Sequence, residues 1–462
     1  MSDRRSRSDR NDTKVKANPE QRAWFFYDWA NSAYITTIGT VLFAPYLTSV
    51  AERAACGFAG DEDRKCTENL SVLGLSISAG SLVFYVVTLA TVLSAFILPI
   101  VGAIADRTDS KRTMMARLAW AGATFAALMF FVTGTNWQLG AGLLVLANLF
   151  YASSIVVYDA ILVEVAEPDE RDRISSQGWA FGYLGGGLLL ALNLALVTVL
   201  PFGLSAEMAV RISLVSAAAW WAYFTIIPYR GIKDRPPRGV VDVDGATLLQ
   251  RSFGQLFRTL RELRNYPQTM LFLGAYLLYN DGIQTVIYSA SVYGDKELGF
   301  GTSVLIAVIL VVQFVAFAGA LIFGRLAARI GSHRTIMGGL VVWVVVVCVG
   351  FFLPVNEIVP FLLLAVVIGL VLGGTQALSR SFFSQLIPRG REAEYFSLYQ
   401  ACERGTSWLG TLVFGVVHQL TGSYRPAILA LVVFFVIGGG LLFKLDPRKG
   451  ILEAGNTAPA IV

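Results

Sequence analysis

Charge is scarce in this chain. Of its 462 residues, 15% are Asp, Glu, Lys or Arg and 55% are hydrophobic, and the mean hydropathy is +0.60. An ordinary soluble domain carries about a quarter of its residues charged, so that class is excluded. Histidine is rarer still: His333 and His418 are the two present, far apart and each without a metal-ligating neighbour, so no metal site is expected. The chain lacks GxxxxGK[ST], HExxH and GxSxG, which leaves nucleotide-driven work and hydrolysis without a motif. No cofactor and no enzymatic activity are therefore expected. Cysteine is sparse as well, with four residues. Cys348 and Cys402 fall in apolar runs and are read as packing. Cys56 and Cys66 share the acidic loop CGFAGDEDRKC, where they either form a disulfide in an oxidising compartment or stay as free thiols.

What the chain has is long apolar runs, with its charge expelled into short islands between them. Runs such as Leu75–Ile104, Leu139–Val165, Val304–Phe323 and Ile358–Leu372 suit a bilayer, whose hydrocarbon slab needs about 20 apolar residues of helix to cross. A pass along the chain predicts twelve spans, at about 24–50, 75–104, 113–134, 138–165, 175–200, 208–229, 268–292, 302–328, 334–353, 357–386, 395–419 and 425–444. The predicted fold is an all-α membrane protein of twelve transmembrane helices in two pseudo-symmetric six-helix bundles.

Alternate connections differ sharply in basic residues: 29 of the 37 Lys and Arg fall on one side and 6 on the other, with Arg380 and Arg404 inside spans. The positive-inside rule then makes both termini cytoplasmic in a multi-pass cell-membrane protein. The net charge of +5 is accounted for by topology and is not a nucleic-acid footprint. The expected organisation is a disordered tail at 1–22, a six-helix bundle at 23–229, a cytoplasmic linker at 230–266, a second bundle at 267–446 and a cytoplasmic tail at 447–462. The linker carries RSFGQLFRTLRELR, where Phe253, Leu256, Phe257 and Leu260 share a face among arginines, the pattern of a short surface helix.

The two halves echo each other. GAIADRTDSKR (Gly102–Arg112) and GRLAARIGSHR (Gly324–Arg334) lie at an offset of 222, and PDERDR (Pro168–Arg173) and PRGREA (Pro388–Ala393) at an offset of 220. Duplicated six-helix units built this way are the architecture of alternating-access carriers. The GxxxDRxxxxR loop resembles the signature of the major facilitator superfamily; the second copy has Ala328 where the first has Asp106. FYDWANSAY (Phe26–Tyr34), GYLGGG (Gly182–Gly187), YNDGIQT (Tyr279–Thr285) and GGTQALSRSFFSQLIPRGREAEYFSLY (Gly373–Tyr399) resemble the vacuole-effluxer-like branch, a branch linked to amino-acid release. The resemblance covers about residues 22–445. It implies the major facilitator fold, with spans one, four, seven and ten around a central cavity. It also implies that Gly102, Asp106, Arg107 and Arg112 brace the cytoplasmic helix ends.

Polar groups inside the membrane are costly, so they map a pathway. Asp28, Asn31 and Tyr34 mark the first span, Asp159 the fourth, Asn280, Asp281, Gln284 and Tyr288 the seventh, Gln376 and Arg380 the tenth, and Glu403 and Arg404 the eleventh. Asp28 either lines the cavity or pairs at the cytoplasmic end. Glu164 is expected to pair with Arg107 or Arg112. Arg380, Glu403 and Arg404 either lock the halves together or touch substrate. Asp281 falls near the midplane, where it could carry a proton. In the fifth span Gly178, Gly182 and Gly186 form a small-residue stripe that lets helices approach and slide.

The reading that follows is a secondary transporter, expected to act as a monomer, that moves a small polar organic solute, with amino acids and proton coupling as its finer version. A drug or metabolite exporter is the alternative within the fold. A membrane scaffold or receptor without flux is the alternative outside it, and it has no need of polar stripes at matching depths.

Overall fold

The computed structural model describes residues 17–59, 66, 68–72, 74–237, 261–405 and 407–462. The expected disorder in the amino-terminal tail and the linker's surface helix lie wholly or largely outside the described residues. Helices account for nearly all of the rest. Ten of them are long and apolar enough to cross a bilayer, by length and composition. Two more polar rods complete a count consistent with twelve: Pro267–Lys296, and the pair Glu392–Gly405 and Ser407–Thr421. These are the rods that carry Asn280, Asp281, Gln284, Gln400, Glu403 and Arg404, so their lower apolarity follows from the groups they bring to membrane depth.

The first rod begins with a capping box. Asn18 Oδ1 accepts from Gln21 N at 2.8 Å, Gln21 Oε1 accepts from Asn18 N at 3.1 Å, and Pro19 occupies the first turn, where it forfeits no bond. We call this helix α1 (Pro19–Ala33); it continues through a π-helical stretch, Tyr34–Leu42, into α2 (Phe43–Cys56). Pro45 lies just beyond the wider turn and supplies no N–H to the carbonyl behind it.

The second span starts later than expected. Residues 69–78 fold as an antiparallel hairpin, β1 (Asn69–Val72) and β2 (Leu75–Ser78), turned at Gly74 with φ of 82°. The helix α3 then runs from Leu82 to Arg107. A disulfide joins Cys56 to Cys66 and ties this hairpin to the end of α2.

The remaining elements are α4 (Lys111–Leu128), α5 (Trp137–Val165), α6 (Arg171–Val199), α7 (Ala206–Phe224), α8 (Ile226–Gly231), α9 (Pro267–Lys296), α10 (Thr302–Ile330), α11 (Ser332–Phe351), α12 (Ile358–Gln385), α13 (Glu392–Gly405), α14 (Ser407–Thr421), α15 (Tyr424–Ala430), α16 (Val432–Phe443) and α17 (Pro447–Glu453). Both ends of the described chain lie at one end of the bundle, here called the terminal face. There Glu20 pairs with Arg235, Asp446 N donates to Gln268 Oε1 at 2.9 Å, and Asn456 Nδ2 donates to the carbonyls of Gln385 and Ile387 at 2.9 and 2.7 Å.

The glycine stripe of α6 packs within one half. A Cβ on Gly178 would meet Asp28, one on Gly182 would meet Ser32, and one on Gly186 would meet Thr36. Two four-residue periods thus interlock, 178–182–186 against 28–32–36. The stripe thus packs, as a seam between α1 and α6. A matching seam joins α10 to α12, where Cβ atoms on Gly319 and Gly373 would strike the main chain of Leu370 and Ala316.

Candidate functional site

The halves meet near the terminal face, and Asp106 shows how. It ends α3 in one half, yet its carboxylate accepts the first-turn N–H groups of α13 in the other, from Ala393 and Glu394, both at 2.9 Å. A carboxylate suits a helix amino-terminus, where N–H groups lack intrahelical partners. Gly102, one turn earlier, allows the approach, since a Cβ there would lie 2.6 Å from the carbonyl oxygen of Ala393. Lys111 steadies the carboxylate at 3.7 Å and reaches Glu164 at 2.8 Å. This corrects the expected partner of Glu164, because Arg107 is exposed and Arg112 turns away to Asp234 at 2.7 Å. Lys111 opens α4 and points back into the bundle, which its place in a basic loop does not reveal.

Deeper in, Arg380 of α12 crosses to the other half and is 3% exposed. Its Nη2 lies 2.9 Å from Asp28 Oδ2, and its Nη1 lies 3.3 Å from Asp159 Oδ1. Ser175 completes the cradle, its Oγ accepting from Nε at 3.0 Å and its main-chain oxygen from Nη2 at 3.1 Å. Three aromatic rings surround the guanidinium, Trp24, Tyr158 and Trp179, with centroids 4.9, 5.3 and 5.5 Å away. Tyr158 also donates to Asp28 Oδ2 at 2.7 Å. Two carboxyl groups thus face one guanidinium.

The network continues towards α13. Gln400 Nε2 donates to Asp159 Oδ2 at 3.0 Å and to Glu403 Oε2 at 3.2 Å. Arg404 donates to Gln400 Oε1 at 3.4 Å and lies over the ring of Tyr151, 5.0 Å from its centroid. Asn280 joins from α9, accepting from Gln376 Nε2 at 2.8 Å and donating to the Glu403 carbonyl at 3.2 Å. The structure therefore brings together Asp28, Asp159, Asn280, Gln376, Arg380, Glu403 and Arg404, and the pairing of Arg380 across the halves has the geometry of a lock.

Of the other candidates, Tyr34 adjoins the cluster through Tyr151, whose ring centroid lies 5.3 Å from its own. Asn31 bonds its own helix, donating to Tyr27 O at 2.7 Å, and Tyr34 donates to Asn148 Oδ1 at 3.1 Å. Gln284 is half-buried and Tyr288 is 59% exposed. Asp281 turns to a different face of α9, where its Oδ2 accepts from Gly410 N at 2.8 Å. The sequence aligns Tyr158 with Asp159 on one face of its span, but it does not single out Trp24, Trp179 or Ser175, since aromatic and small residues at such spacing look like ordinary core.

Further crossings join Arg171 to the carbonyl of Ser384 at 3.0 Å, Ser175 to that of Ala377 at 2.7 Å, and Ser381 to Asp172 at 2.6 Å. All of these lie between the terminal face and the level of Asp159, so the pathway is closed on that side.

Sequence comparison agrees with this architecture. The family model described as vacuole effluxer Atg22-like matches residues 16–169 and 163–455. The chain belongs to that family. Within it, the chain is 30% identical over 429 residues to the uncharacterised MFS-type transporter YxiO of Bacillus subtilis, covering 91% of this chain and 93% of that one. It is 24% identical to autophagy-related protein 22 of Pyricularia oryzae, covering 97% and 79%. The fold matches that of the major facilitator superfamily transporter FucP in the outward conformation, with a TM-score of 0.66 at 14% identity, covering 93% of this chain and 98% of that one. This Atg22-like chain is thus a transporter of the major facilitator superfamily, and its relatives are transporters, not enzymes.

Proposed function

We propose that this protein moves a small zwitterionic solute across the cell membrane by alternating access, with amino acids as the class to test first. The observation that carries the reading is the buried cluster of Asp28, Asp159 and Arg380, extended by Glu403 and Arg404 and shared between the halves. A zwitterion offers one ammonium and one carboxylate. The cluster offers carboxyl groups for the first and Arg404, stacked on Tyr151, for the second. Binding there competes with the pairing that holds the halves together, which couples occupancy to opening. The unit of movement is a six-helix bundle, at about 23–229 and 267–446, and the protein acts as a monomer. The 29-to-6 basic asymmetry supports a cytoplasmic terminal face, so the closed side is the cytoplasmic one.

Counterflow tests this in proteoliposomes preloaded with unlabelled solute. Labelled amino acids should accumulate transiently, while sugars and organic anions should not. Accumulation of only a non-zwitterionic solute would overturn the reading.

A further inference from the structure

At the terminal face an open groove of about 440 Å³ lies between α1 and α8, lined by no member of the Arg380 cluster. Its volume falls in the range of small-molecule sites, roughly 300–1,000 Å³. Pro19, Ala23, Phe26 and Ile227 make its walls, and Arg22 and Arg230 stand at it with exposed side chains. Both helices show the same order of residues. Arg22 lies in the first turn of α1 with Phe26 four residues deeper, and Arg230 lies in the last turn of α8 with Ile227 three residues deeper. Each arginine thus shares a helical face with an apolar residue one turn below it.

The two guanidinium groups are open to an anion. Arg22 uses its Nε on the Ala17 carbonyl at 3.0 Å, and no other side-chain bond of Arg22 or Arg230 joins a described residue. The carboxylates of this corner are engaged elsewhere, Glu20 with Arg235, Asp234 with Arg112 and Glu164 with Lys111. Positive charge therefore sits at two helix ends with an apolar wall below it. A phospholipid presents its phosphate and its chains in that order. Charge disfavours the other occupants. The linker after α8 surrounds its apolar face with Arg251, Arg258, Arg261 and Arg264, and a second copy docked about a two-fold axis would set arginine against arginine.

We propose that this groove binds an anionic phospholipid, with its phosphate held by Arg22 and Arg230 and the start of its acyl chains against Phe26 and Ile227. Guanidinium suits the phosphate because its planar fork offers parallel N–H groups. Bound there, the lipid ties α1, which carries Asp28, to the end of α8 in the same half. The binding does not rest on the transport reading.

The test is native mass spectrometry of the purified full-length protein in detergent, titrated with phosphatidylglycerol and with phosphatidylcholine of the same acyl chains. The wild type should hold phosphatidylglycerol at least about tenfold more tightly, the worth of one hydrogen bond to a charged group. The double variant Arg22→Gln/Arg230→Gln should lose that preference. The control Arg325→Gln/Arg329→Gln, changed at exposed arginines of α10, should keep it. Where the first variant fails to fold, Arg22→Lys/Arg230→Lys decides: it keeps the charge, loses the fork and should lower the preference several-fold. Equal binding of the two lipids by the wild type, a preference unchanged in the Arg22 and Arg230 variants, or an equal loss in the control overturns the site. Three further outcomes also overturn it. Displacement of the lipid by equimolar inorganic phosphate assigns a free-anion site. Dimers that Arg22→Gln/Arg230→Gln abolishes assign the groove to a second copy. Lipid binding that appears only after deletion of residues 241–258 assigns it to the linker.

Discussion

Arg380 makes five polar contacts from three nitrogens, to Asp28, Asp159 and Ser175, inside an aromatic cage. A lysine there keeps the charge but loses the planar fork and the stacking on Trp24 and Trp179. Each hydrogen bond to a charged group contributes about 1.5–3 kcal/mol. Arg380→Lys should therefore lower initial transport rates by at least about tenfold, with an unchanged size-exclusion profile. Rates within twofold of wild type would remove Arg380 from the pathway. The individual members of this cluster were legible because a charge inside an apolar run has few reasons to be there. Their meeting was not: Arg380 is 352 residues from Asp28 and 221 from Asp159, and nothing in sequence fixes the rotation of three distant helices about their axes. The same gap let Asp281 be grouped with Gln284 and Tyr288, although the helix turns its carboxylate towards Gly410.

Among the elements, the α1–α6 seam shows how local spacing sets packing. Its glycines let two main chains approach along interlocking four-residue periods, and a Cβ at Gly182 would lie 2.7 Å from Ser32 Oγ. Overpacking such a site costs about 1–3 kcal/mol. Gly182→Leu should lower the unfolding midpoint of the purified protein by several degrees, while Gly142→Leu, which meets open space, should not. Equal midpoints for the two would show that the seam tolerates separation. The stripe was visible in sequence as a period of four; its partner was not, because a small-residue stripe does not say which helix it receives. The hairpin at 69–78 was lost for another reason. Its second strand, Leu75–Ser78, merges with the apolar run of the following helix, and only Gly74 marks the turn.

For the whole molecule, duplication of the six-helix unit was legible from loops repeated at a near-constant offset, and the asymmetry of basic residues gave the two faces. The state of the pathway was not legible, because it depends on contacts between halves that the sequence keeps apart. Those contacts close the terminal face through Asp106, capping α13 across the gap, and through Arg380. Loss of a helix cap costs about 0.5–2 kcal/mol, enough to shift a two-state population by roughly 2- to 30-fold. The most direct measurement is the distance between spin labels at Glu167→Cys and Arg329→Cys, exposed positions on the terminal face of opposite halves, in a background lacking Cys348 and Cys402. A single short distance is predicted for the resting protein, with a longer one gaining population in Asp106→Ala, in Arg380→Ala and on adding the transported solute. An unchanged distribution in both variants would contradict the claim that these inter-half contacts are the gate.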